Sequence, residues 1–255
     1  MAGCRASYRR VDRLAGTHDM DRFALTQDID HSPAAKDHED FAAPFLSADC
    51  RRSGGMCGAL RHCAFRRQAD LRRVFKGSSP EFIEITVRED SDTGAYEIRQ
   101  LDEDPGALPF QVSAAWRAKM FDLAAQLKHF QGQDLDVHRK IANLGEKTFR
   151  WESGTEVHEA KFNYTLNSAA AQLLQIFEGL ARQQEHVDLI TRRMKYDRLG
   201  INDALLQFES DLNRSLMPEP QRVLPMLDQI AGDSRFVDIA RQRARSLAER
   251  IRHQG

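Results

Sequence analysis

No apolar run in the 255-residue chain approaches the roughly 20 residues that cross a bilayer as a helix. Neither charge dominates: 37 Lys and Arg stand against 38 Asp and Glu. A dedicated nucleic-acid binder carries a large basic excess, so the balance argues against that class. Cysteine is scarce and confined to the first quarter, at Cys4, Cys50, Cys57 and Cys63. A disulfide-stapled secreted domain spreads its cysteines through the folded part, so reduced thiols are expected instead. Arg5, Arg9 and Arg10 are followed by no apolar segment, which speaks against a secretory or twin-arginine signal. Asp12, Asp19, Asp21, Asp28 and Asp30 speak against an organelle transit peptide. A soluble, cytoplasmic protein is the resulting expectation. H-E-x-x-H, C-x-x-C and G-x-S-x-G do not occur. The run Lys76-Gly77-Ser78 precedes a strand pattern, whereas a phosphate-cradling loop joins a strand to a helix.

Residues 1–74 show neither a sustained helical period nor strand alternation, and include the breaker cluster Arg51-Arg52-Ser53-Gly54-Gly55. With so few aliphatic side chains, burial does not offset an ordering cost of about 1–2 kcal/mol per residue. The segment is predicted to be disordered, or a spurious extension whose natural start lies near Met56.

From there the pattern changes. Ile83, Ile85 and Val87 alternate with Glu84, Thr86 and Arg88, Asp90-Ser91-Asp92-Thr93-Gly94 marks a turn, and Tyr96 and Ile98 alternate again. Ser113 is a candidate N-cap for a helix bearing Trp116, Met120, Leu123, Leu127 and Phe130. A second hairpin runs from Lys147 to Glu152 and from Val157 to Thr165 around Ser153-Gly154. A long helix from Ser168 carries Leu173, Ile176, Phe177, Leu180, Val187, Ile190 and Met194 and stops at Leu199-Gly200. Shorter helices follow, with Asn202 and Ser234 as caps and Pro218 and Pro220 at a start. The fold class is therefore α+β: two β-hairpins form an antiparallel sheet packed on two helices, followed by a small all-α C-terminal unit. The divisions fall at 1–74, 75–182 and 183–255.

Three stretches, VFKGSSPEFIEI at 74–85, NLGEKTFRW at 143–151 and YDRLGINDALL at 196–206, resemble a bacterial family of uncharacterised proteins. That family has hairpin–helix–hairpin–helix order followed by short helices. The resemblance spans roughly residues 75–252, implies this architecture, and brings no catalytic pattern with it.

Three groups of residues have side chains suited to chemistry. Cys50, Cys57, His62 and Cys63 have the residue types of a zinc site, but lack the C-x2-C spacing that presents two sulfurs to one ion. His158 falls in phase with Ala160, Phe162 and Tyr164, and the carboxylates flanking it, Glu156 and Glu159, are expected on the other strand face, which leaves the imidazole without a partner. His129 and His138 are no better supplied. Arg235, Arg241, Arg243, Arg245, Arg250 and Arg252 crowd the last helix, yet fall on both edges of its apolar stripe, as snorkelling stems do. Trp116, Met120 and Trp151 read as core. No catalytic, metal or cofactor residue is assigned. The leading expectation is a non-catalytic module binding another protein through its C-terminal helices. The alternatives are an enzyme or small-ligand binder using the cleft between sheet and helical unit, with His158 or Glu146, and weak nucleic-acid binding by the last helix.

Overall fold

Strand alternation from residue 67 onward builds the sheet of the computed structural model, which describes residues 66–254. The four cysteines, His62, Met56 and the disorder expected up to residue 65 lie outside the described residues. The strands are β1 (Arg67–Val74), β2 (Phe82–Arg88), β3 (Thr93–Arg99), β4 (Leu108–Gln111), β5 (Glu146–Ser153) and β6 (Glu156–Phe162). They form one antiparallel sheet in the order β4-β3-β2-β1-β5-β6. The helices are α1 (Ala114–Gln126), α2 (Ser168–Tyr196), α3 (Ile201–Asn213), α4 (Leu224–Gly232) and α5 (Asp238–Gln254). The chain is α+β. No helix among the described residues is long and apolar enough to cross a membrane.

Both expected hairpins are present, but they do not pair with each other. β1 stands between them, with Leu71 opposite Ile85 on one side and Phe149 on the other. This strand occupies the last residues of the segment assigned above to disorder, so the folded part begins before Val74. Its composition hides it: only Ala69 and Leu71 are buried apolar residues, set among three arginines. Pairing along both edges compensates, because the ladder satisfies its backbone groups whatever its intrinsic preference.

Two departures among the helices have local causes. α1 is capped by Ser113 as expected, but stops at Gln126. Lys128, His129 and Phe130 take positive φ values, a reversal that leaves Phe130 fully buried and stacked on Phe149 at 5.2 Å. Asn202 is not a cap; it lies inside α3, where its Oδ1 accepts from Arg243 Nε at 3.1 Å. Ser234 precedes α5 by several residues and does not cap it.

Two apolar cores result. One lies between the inner sheet face, α1 and the first half of α2, through Leu71, Ile85, Phe149, Met120 and Phe177. The other packs the end of α2 against α3, α4 and α5, through Ile190, Leu205, Phe208, Leu227 and Ile251. At about 1.5 Å per residue, the 29 residues of α2 extend about 43 Å and serve both. Arg73 and Lys147, cross-strand neighbours on the inner face, end the sheet core in charge. Lys147 is buried and donates from Nζ to the carbonyls of Leu144 and Asn163, each at 3.1 Å.

On the opposite sheet face Asp70 is 5 % exposed and accepts from Gln68 Nε2 at 3.1 Å. Burial pushes its carboxyl up to about 6, against the hydrogen bond from Gln68. A folded-state value above the unfolded one favours the protonated form, so Asp70 lowers stability progressively as pH rises from about 4 to 6. Asp70→Asn is expected to raise stability by about 1–3 kcal/mol at pH 7 and to change little below pH 4. Urea titrations at the two pH values check this; a gain of equal size at both would exclude ionisation as its cause.

Candidate functional site

The apolar stripe of α2 breaks between Leu180 and Val187, where the sequence reads Ala-Arg-Gln-Gln-Glu-His over 181–186. Helical spacing asks for an apolar residue near 183 or 184. Gln183 and Gln184 stand there instead, both buried, and His186 beside them is buried too. This polar belt falls between the two cores, and its Arg182, Glu185 and His186 form one wall of a cleft of about 630 Å³ that Gln183 and Gln184 do not line. The end of β1 and the turn after it supply the second wall, with Arg73, Ser78 and Ser79, while α3 supplies Gln207, Ser210 and Asp211.

His186 Nε2 lies 2.9 Å from Asp211 Oδ2, and both side chains are largely withdrawn from water, at 8 % and 17 % exposure. The ring stands edge-on to Phe208, centroids 5.5 Å apart. Arg182 Nη1 lies 3.5 Å from the same carboxylate oxygen. Asp211 thus ties α2 to α3 while fixing the orientation of an imidazole at the cleft. A carboxylate-oriented imidazole is half of an acid–base pair. The other half is missing among the described residues, since no side-chain hydroxyl is hydrogen-bonded to His186. Ser78 Oγ lies 2.7 Å from Phe75 O and 2.5 Å from Pro80 O, which commits its one proton to carbonyl acceptors.

Glu185 is half-buried on the same helix face. Burial raises its carboxyl above the ordinary range; Arg182 and Arg73 offset part of this, and Asp211 and Asp188 add to it. Glu185 also lines a second hollow of about 460 Å³, together with Asp188, Arg192 and Arg99, so it stands where the two spaces meet. Beyond it Tyr96 donates from its hydroxyl to Asp188 Oδ1 at 2.8 Å and fastens β3 to α2.

The residues singled out from sequence fall elsewhere. His158 pairs across from Trp151 on the inner sheet face, half-buried, and its buried Nδ1 has no partner among the described residues. Glu159 points outward and lies 3.9 Å from Arg150, but Glu156, two positions before His158, shares its face as an exposed residue at the start of β6, against the expectation that both carboxylates turn away. His129 packs on Trp151 with centroids 4.2 Å apart. Glu146 and His138 line a different hollow, about 780 Å³ in volume, with Asp134, Asp136 and Lys161. His138 Nε2 and Asp134 Oδ2 are 2.6 Å apart, but their side chains are 69 % and 68 % exposed. Water screens such pairs, so the larger hollow offers a ligand weaker electrostatic purchase than the cleft at α2. In the last helix Arg243 and Arg250 bind Glu209, Arg241 binds Asp238 and Arg252 binds Asp228, while Arg235, just before it, binds Asp233.

Compared with protein-family models, with curated proteins and with solved structures, the chain finds no match.

Proposed function

We propose that the chain binds a small polar ligand in the cleft at the middle of α2 and carries out no reaction on it. The observation that supports this is the pair of incompletely satisfied charges there. Glu185 is half-buried without a hydrogen-bonded partner among the described residues. Arg73, 23 % exposed, makes only a long 3.9 Å contact with Glu178. Charges withdrawn from water without close partners are costly to a fold, and a ligand that supplies the partners recovers that cost as affinity. The committed hydroxyl of Ser78 favours binding over covalent chemistry. A thermal-shift screen of small polar compounds against the full chain tests the reading. A stabilising compound is expected whose effect disappears in Arg73→Gln and in Glu185→Gln; stabilisers indifferent to both would overturn it.

Exposed apolar side chains at the ends of the C-terminal helices favour a protein partner as a second reading. Tyr196, the last residue of α2, and Leu199 just after it are 74 % and 79 % exposed, and Ile239 near the start of α5 is 58 % exposed. Large apolar side chains this open are common at protein contacts. Cross-linking that captures a defined partner with the native chain, and loses it in Leu199→Glu with Ile239→Glu, is the expected result for this reading; equal capture by both chains would reject it.

A further inference from the structure

We infer that the ligand of the cleft is an elongated zwitterion, a short peptide with free termini, its carboxylate at Arg73 and its ammonium at Glu185. This rests on the binding reading above and adds the chemical class.

The anionic end follows from Arg73. Its Nε is buried and has no hydrogen-bond partner among the described residues, and its Nη1 is 3.9 Å from Glu178. A guanidinium recognises a carboxylate through two parallel N–H donors in one plane; with Nε closed off from solvent, the Nη1/Nη2 edge of this cleft-lining side chain is the one that receives a carboxylate. The cationic end follows from Glu185. This carboxyl faces the cleft with no hydrogen bond of its own, and burial without a partner holds its proton more tightly than usual. An ammonium seated there would reverse that tendency and complete a charge-assisted hydrogen bond.

Spacing separates a peptide from a free amino acid. Arg73 reaches α2 at Glu178, and Glu185 lies two helical turns further on. Seven residues of helix rise about 10 Å. An extended chain covers about 3.3–3.6 Å per residue, so three residues span the gap, while the charges of one amino acid fall well short. The cleft's volume of about 630 Å³ admits a molecule of that length, and Ser79, Gln207 and Ser210 offer polar side chains between the ends. A polyamine would meet Arg73, Arg182 and Arg192 as well as the acids, and a simple anion would meet Glu178, Glu185 and Asp211. A lining of both signs suits neither.

Isothermal titration of the full chain with trialanine, N-acetyl-trialanine, trialanine amide and alanine tests the assignment. Trialanine is expected to bind about tenfold tighter than each of the other three, since each lacks one charged end or the length. Arg73→Gln is expected to weaken trialanine to the level of its amide, with Arg73→Lys between the two. Glu185→Gln is expected to weaken trialanine to the level of the acetylated peptide. Blocked peptides that bind as tightly as trialanine would overturn the zwitterion. So would silence toward trialanine while another compound from the thermal-shift screen still depends on Arg73 and Glu185, an outcome that leaves the cleft reading intact. Failure of the cleft reading shows differently: no compound of any class responds to the two substitutions, although circular dichroism finds the variants folded.

Discussion

A chain that begins at Phe75 is expected to lose cooperative folding altogether. That start follows the boundary near Val74 which composition suggests, and it removes β1. The strand pairs seven residues with β2 and eight with β5. Without it, β2, β3 and β4 on one side and β5 and β6 on the other share no ladder. Leu71, fully buried between Ile85 and Phe149, is worth about 1.5–3 kcal/mol by itself. Removing β1 also exposes the two strand edges it covered, each a row of unpaired backbone groups. Against a net stability of about 5–15 kcal/mol for a typical domain, the combined loss is decisive. Far-UV circular dichroism during heating provides the measurement. A sloping trace without a transition is expected, and a sigmoidal melt near that of the full chain would show that the two hairpins close directly upon each other.

β1 also shows where sequence reading stops. Hairpins announce themselves: Ile83, Ile85 and Val87 against Tyr96 and Ile98 carry period-two alternation and a turn cluster in one short window, and the structure pairs Ile83 with Ile98 and Ile85 with Tyr96. A middle strand draws its stability from neighbours that are distant in sequence, here β5, so its own eight residues need little apolar content. Local propensity is a weak guide where tertiary pairing supplies the hydrogen bonds. The same holds for Phe130. Its spacing from Leu127 reads as helix, yet it reaches the core through a left-handed reversal that no periodicity encodes.

The candidate site was legible in a different sense. Polar residues at 182–186 interrupt an apolar stripe that resumes on the far side, and that interruption is visible in the sequence alone. What the sequence withholds is the partner set. His186 and Asp211 are separated by 25 positions, and only the packing of α3 against α2 joins them. Arg73 lies in a segment whose composition suggests no structure, so no pattern links it to Glu185. His158, by contrast, has the right residue type on the right strand face, yet it lies across from Trp151, and the carboxylate next to it, Glu159, turns outward, as strand alternation requires.

Phe149→Ala is expected to destabilise the folded chain by about 3–5 kcal/mol, the range for truncating a fully buried phenylalanine. Phe149 is 0 % exposed and lies opposite Leu71 in β1 and Ala160 in β6. Its ring packs against Phe130, Phe162 and Phe177 with centroids 5.2, 5.0 and 6.1 Å away. Those three rings come from the reversal after α1, from β6 and from α2, so one truncation loosens three junctions of the larger core. Neither β1 nor β5 can shift to fill the space without breaking ladders on both of their edges, which places the loss toward the upper end of the range. The contact with Phe177 also bears on the cleft. Phe177 precedes Glu178 on α2, and the spacing between α2 and the sheet sets how Arg73 faces Glu178 and Glu185. Arg150→Ala, one residue along the same strand but on the outer face, removes ion pairs at 3.1 and 3.9 Å and a weak attraction to Asp70 opposite it, and is expected to cost about 1 kcal/mol. Urea unfolding of the two variants beside the full chain measures the difference. Equal losses for the two would show that the inner sheet face does not carry the core of this fold.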